Sequence, residues 1–226
     1  MITSRQNEKL KLVRKLHERR WRDKLGLFVA EGEDLVDAAA AAGIEPVELL
    51  VAGETVELEL VAELSTLPHP ARAIGVYRRS DLPQGARAAM LALWRVADPG
   101  NVGTLLRAAD AFDAGLALSA GSADPTGPKA VRASAGAIFR VPIAGFDDVA
   151  GRRIALVPHG GTPLPELDLS GETTFVLGAE REGLPDEILA RCDDRATIPQ
   201  AASAESLNVA MAGTIALYEA SRRRRS

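Results

Sequence analysis

The chain has 226 residues, 46% hydrophobic and 26% charged, with a formal net charge of −4, proportions that suit one large or two small globular domains with room for a core. No apolar run reaches the 18 residues of a membrane-spanning helix, and the charged start MITSRQNEKLKLVRKLHERR lacks the apolar stretch of a signal peptide. The single Cys192 excludes an internal disulfide and fits a reducing cytoplasm, while His17, His69 and His159 lie too far apart to signal a zinc or haem site.

The net charge hides an asymmetry. Arg5, Lys9, Lys11, Arg14, Lys15, Arg19, Arg20, Arg22 and Lys24 crowd the first segment, and Arg222, Arg223, Arg224 and Arg225 close the chain, leaving the middle acidic. Patches rather than totals govern phosphate binding. The start reads as one basic amphipathic helix, followed by a strand LFVAEG, a helix EDLVDAAAAAG stopped by Gly43, a strand PVELLVA, a helix VELELVAELSTL and a strand AIGVYRR. This alternation predicts a small α/β module. SDLPQGAR, around Pro83 and Gly85, reads as a linker, placing a boundary at residue 86.

Residues 87–226 alternate again. Strands MLALWRVA, LALSAG, RRIALVP, TTFVLGAE and RATIPQ each end in a loop rich in glycine or polar residues, and helices begin after Asp98, near Pro128 and near Leu207. Apolar strands separated by helices imply a parallel sheet covered on both faces, with ligands beyond the carboxyl ends of its strands.

Three of those ends carry chemistry. In DPGNVGTLLRAADAFDAG, Asp98-Pro99-Gly100 makes a turn, Asn101 is an N-cap, and Val102, Leu105, Leu106, Ala109 and Phe112 form one helix face ended by Gly115. Arg107 lies off that face. An isolated arginine there is ordinarily a solvated one. In VLGAEREGLP, Gly178 ends a strand and lets a ligand approach the backbone, with Glu180 just beyond. In IPQAASAESLNVAMAGTIALYE, Ser206 caps a helix whose apolar face is Leu207, Ala210, Met211, Thr214, Leu217 and Tyr218, with Asn208 off that face. Ala210, Ala212 and Gly213 permit close helix packing.

In this order the three stretches closely resemble the SpoU (TrmH-like) family of RNA ribose 2′-O-methyltransferases. KAVRASAGAIFRVPI resembles the family's connecting segment, and residues 1–86, through FVAEGEDLV, resemble an L30e-like domain. The resemblance implies an α/β fold whose C-terminal domain is a trefoil knot, which general topology rules disfavour. It also implies S-adenosyl-L-methionine as cofactor, a homodimer with the final helix in the interface, and structured RNA as partner, 23S rRNA favoured over tRNA. Gly178, Ile198 and Leu207 would line the cofactor site. Arg107 matches the family's essential arginine, acting as base or as electrostatic clamp. Asn101 would fix the loop before it, Glu180 would hold Arg107 or the loops, and Ser206 and Asn208 would orient the ribose or the cofactor loop. Gln200 stands where the family pattern expects methionine.

Three other readings stay open: a non-catalytic RNA-binding protein of the same fold, a base-nitrogen methyltransferase, and a dinucleotide-binding dehydrogenase. GNVGTLL weakens the last, because it lacks the third glycine of G-x-G-x-x-G.

Overall fold

The structure is a computed structural model, and it describes residues 1–201 and 206–224; Arg225 of the basic tail lies outside them. The basic start forms two helices, α1 (Glu8–Leu16) and α2 (Arg19–Leu25), rather than the single helix expected. Arg22 is the reason. Its side chain is 6% exposed, and Nη1 donates to the carbonyls of Leu16 and His17 at 2.8 and 2.9 Å. It therefore satisfies the open carbonyl end of α1, which a continuous helix would not present. Gly26, at φ 65°, ends α2 in the left-handed conformation.

The first sheet holds β1 (Leu27–Glu31), β2 (Glu48–Val51) and β3 (Ala73–Arg78) in the order β1-β3-β2, with β3 antiparallel to both neighbours. Alternate residues of β1 and β3 serve two cores. Val29, Ile74 and Val76 pack with α1 and α4 (Leu58–Leu64), while Phe28, Ala30 and Tyr77 join the main core alongside α3 (Glu33–Ala41).

The second sheet contains β4 (Ala89–Leu93), β5 (Gly115–Leu118), β6 (Ile143–Gly145), β7 (Arg152–Leu156), β8 (Thr162–Pro163), β9 (Thr173–Leu177) and β10 (Asp194–Thr197). Its order is β6-β5-β4-β9-β7-β10-β8, and every pairing is parallel. Central β4 and β9 are buried along their whole length, as the apolar runs predict. The helices are α5 (Pro99–Ala111), α6 (Pro128–Ser134), α7 (Asp186–Leu189) and α8 (Val209–Arg224). From β10, near one edge, the chain returns to the middle, where α8 packs on α5, β4 and β9. A trefoil knot requires such a return.

Two details of the helices differ from expectation. Phe112, not Gly115, is the C-cap of α5, and Asp113 takes the left-handed conformation at φ 53°. Aspartate is among the few non-glycine residues that tolerate it. In α8 the buried stripe is Ala210, Gly213, Leu217 and Ala220, whereas Met211 and Tyr218 are 61% and 55% exposed. Close approach decides this: a Cβ on Gly213 would collide with the Leu105 side chain of α5, so the smallest residues face inward.

The two sheets share one core. Phe28 of β1, Tyr77 of β3 and Phe139, in the turn after α6, stack with ring centroids 5.1–6.0 Å apart. Asp124 accepts from Arg22 and Arg79 at 2.8 Å each, and Arg79 also reaches Asp23 at 2.8 Å. Burial pushes the Asp124 carboxyl up, but hydrogen bonds from Thr126 and the two arginines outweigh it and hold it below the usual carboxylate range. No helix among the described residues is long and apolar enough to cross a membrane.

Candidate active site

β4 and β9 are adjacent and parallel, so the loops leaving Leu93 and Leu177 emerge side by side. The first enters α5. Asp98, not Asn101, caps this helix: its Oδ1 accepts from the amides of Gly100 and Asn101 at 2.5 and 3.2 Å. Pro99 explains the shift, since it lacks an N–H and favours the first helical position. A hydrogen bond from Lys129 holds the Asp98 carboxyl below its ordinary range, with burial opposing it.

Released from capping, Asn101 bridges the other two motifs. Its Nδ2 donates to Glu180 Oε1 at 2.9 Å, and its Oδ1 accepts from Asn208 Nδ2 at 3.2 Å. Glu180 also accepts from the amides of Ala97 and Asp98 at 3.3 and 3.2 Å. Burial raises the Glu180 pKa, but these bonds, Asn101 first, outweigh it and hold the carboxyl below the usual range. Glu180 thus ties loops together, and within the one chain no bond joins it to Arg107.

Asn208, rather than Ser206, caps α8: its Oδ1 accepts from the amides of Ala210 and Met211 at 2.8 and 3.3 Å. An asparagine cap bonds the second or third amide beyond it, which fixes the helix start at Val209. Ser206 is exposed, before the cap.

These residues surround a cavity of about 450 Å³ lined by Gly178, Glu180, Ile198, Ser206, Leu207 and Asn208, a size typical of cofactor sites. At Gly178 a Cβ would strike the backbone of Gly183, because the loop folds back and the Gly183 amide donates to the Ala179 carbonyl at 2.9 Å. Gln200 also lines the cavity, and its Oε1 is buried with no partner among the described residues. Buried acceptors are nearly always hydrogen-bonded. An apolar slot with one unused acceptor and strand-end backbone fits an adenine ring bearing an exocyclic amine.

Arg107 stands apart. It is exposed on the outer face of α5 with Thr104 and Ala111, outside the cavity lining, and pairs with no described residue. Asp98 and Lys129 were missed by sequence reasoning, although an Asp-Pro pair opening a helix is a capping signal. Among the described residues no cluster of His, Cys, Asp and Glu could hold a metal.

Comparison with known proteins places these features in context. The SpoU rRNA Methylase family model matches residues 88–218, and the MRM3-like substrate binding domain matches residues 7–79. An uncharacterized tRNA/rRNA methyltransferase of Synechocystis sp. is 33% identical, covering 98% of this chain and 93% of its own length. The 23S rRNA (guanosine(2553)-2'-O)-methyltransferase RlmP of Bacillus subtilis is 30% identical over 96% of this chain and 97% of its own. A crystal structure of an AdoMet-bound rRNA methyltransferase from Sinorhizobium meliloti is similar with a TM-score of 0.86 and 31% identity, covering 98% of this chain and 97% of that one.

Proposed function

The chain belongs to the SpoU rRNA Methylase family and is an S-adenosyl-L-methionine-dependent RNA 2′-O-ribose methyltransferase; from that premise we propose that it modifies 23S ribosomal RNA, rather than transfer RNA, as a cytoplasmic homodimer. Residues 1–86 bind the RNA and residues 87–226 carry the chemistry. The name of the Bacillus subtilis relative and the match to a substrate binding domain support this reading. The observation that carries the site is Asn101, bonded to both Glu180 and Asn208, which locks three motif loops around one cavity.

When bound, S-adenosyl-L-methionine supplies a methyl whose bond to sulfur breaks as a bond to the ribose 2′-oxygen forms. Gly178, Ile198 and Leu207 would hold it largely through backbone groups, and Gln200 Oε1 would offer it a hydrogen-bond acceptor. The hydroxyl proton passes to solvent water as the new bond forms, and the sulfonium would be left as the neutral thioether. The Arg107 guanidinium grips the neighbouring phosphate and stabilises the oxyanion. Asn101, Glu180 and Asn208 keep the loops in place, and Ser206 orients the ribose at the rim.

Arg107 serves the cavity of a second copy. Its exposed position on α5, the helix that packs against α8 with its exposed Met211, Ile215 and Tyr218, supports an interface there; a second copy covering these apolar residues would carry its own Arg107 to this cavity.

The test is methyl transfer from tritiated S-adenosyl-L-methionine to 23S rRNA and to tRNA, followed by nuclease digestion and mass spectrometry. Label on a ribose of 23S rRNA is expected. Label on a base, on tRNA alone, or on neither overturns the assignment.

A further inference from the structure

A second cavity, of about 260 Å³, opens where the two sheets meet. Leu82, Leu118 and Ile143 give it apolar walls, and Arg79, Gln84 and Ser119 give it a polar side. Its charges cancel: Arg79 contacts Asp23 and Asp124 at 2.8 Å each, and Arg19 lies 3.6 Å from Asp23. A neutral slot of this kind suits an uncharged planar ring better than a phosphate. Two groups on its wall are underused. Arg79 Nε is buried with no acceptor among the described residues, and the Gln84 amide makes a single 3.3 Å bond, from Nε2 to the Leu82 carbonyl. A donor beside an amide that offers both a donor and an acceptor is what the edge of a splayed-out base requires.

The slot lies across β4 from the catalytic cavity. Segment 93–98 lies between them. On one flank Ser122 Oγ and the Ala123 amide donate to the carbonyls of Leu93 and Val96 at 3.2 and 2.9 Å, and the Arg95 amide donates to Ser119 Oγ at 2.8 Å. On the other flank the amides of Ala97 and Asp98 reach Glu180. β5 and β9 flank β4, so the nearest walls of the two sites, at Leu118 and Leu177, stand about two strand spacings, roughly 10 Å, apart.

Arg95 sits between them. Its backbone is left-handed, at φ 54°, a conformation that L side chains rarely adopt and that recurs at functional sites. Its side chain is exposed, runs past Gly121 and has no polar partner among the described residues. A cation without a polar partner among the described residues is thus carried on the segment that links the linings of the two cavities.

We propose that this junction cavity receives the base of a nucleotide neighbouring the one that is methylated, while Arg95 grips the phosphate between them. The inference rests on the RNA methyltransferase reading above and adds a second subsite to it.

The test uses Arg95→Gly and Gln84→Ala in the full chain, with in vitro-transcribed 23S rRNA as probe. Glycine relieves the left-handed strain, so Arg95→Gly should unfold no more readily than the wild type. Each variant is expected to raise the Kd for the transcript about tenfold and leave the Kd for S-adenosyl-L-methionine unchanged. Arg95→Gly should also lower the slope of log affinity against log salt by about 0.7 to 0.9; Gln84→Ala, which loses no charge, should leave the slope alone. Wild-type Kd and slope in Arg95→Gly, or wild-type Kd in Gln84→Ala, overturns the proposal. Should the wild type methylate no ribose at all, the functional reading falls, and the RNA affinities and salt slopes still decide this one.

Discussion

Asn101 and Arg107 are six residues apart on α5, about 240° around its axis, and they meet different surroundings. Asn101 turns toward Glu180 and Asn208, while Arg107 turns outward to no partner among the described residues. Arg107→Ala is expected to cut turnover by about 10²- to 10⁴-fold with the Kd for S-adenosyl-L-methionine unchanged by calorimetry. Near-normal turnover would remove the arginine from the mechanism. Mixing Arg107→Ala with Gly178→Val, which blocks the cofactor cavity, should restore activity, because one mixed dimer site then pairs an intact cavity with an intact arginine. If the mixture stays inactive, Arg107 does not act across an interface.

α5 owes its position to what its glycines allow. At Gly103 a Cβ would meet the Ala130 carbonyl oxygen and the Ala133 side chain of α6. Alanine improves helix propensity by about 1 kcal/mol, whereas overpacking against a fixed backbone costs about 1–3 kcal/mol. The second effect wins here, since the obstructing atom belongs to another helix's main chain. Gly103→Ala should therefore lower stability by about 1–2 kcal/mol in urea denaturation, and a stabilised variant would show that α5 and α6 can separate freely. The same logic explains α8, where Gly213 rather than a large apolar residue faces Leu105. Hydrophobic periodicity assigned Met211 and Tyr218 to the buried face; close helix contact required small residues there and left the large ones outside.

At the scale of the molecule, Asp124 joins the N-terminal helices to the large sheet through Arg22 and Arg79. Asp124→Asn leaves the nearly buried Arg22 guanidinium without its counter-charge, and should cost about 3 kcal/mol at pH 7. The folded-state pKa of Asp124 lies below its ordinary value, so this stabilisation is complete above the unfolded-state pKa of about 3.9 and is lost as pH falls through the folded value. The stability gap between wild type and Asp124→Asn should accordingly shrink below about pH 4; a constant gap down to pH 2 would mean the carboxylate's charge contributes nothing.

The alternating apolar runs determined the α/β class and the parallel character of the second sheet, because buried parallel strands are apolar on both faces. The family resemblance of the three motifs marked Asn101, Gly178, Glu180, Ile198, Ser206, Leu207 and Asn208, all of which gather at the larger cavity or its rim. Local pattern could not register the short edge strands β6 and β8, which are three and two residues long. Nor could it reveal the break between α1 and α2, the transfer of both helix caps to Asp98 and Asn208, or the second cavity. Each of these depends on groups distant in sequence competing for the same backbone amides, carbonyls and space, and only the folded chain decides which of them wins.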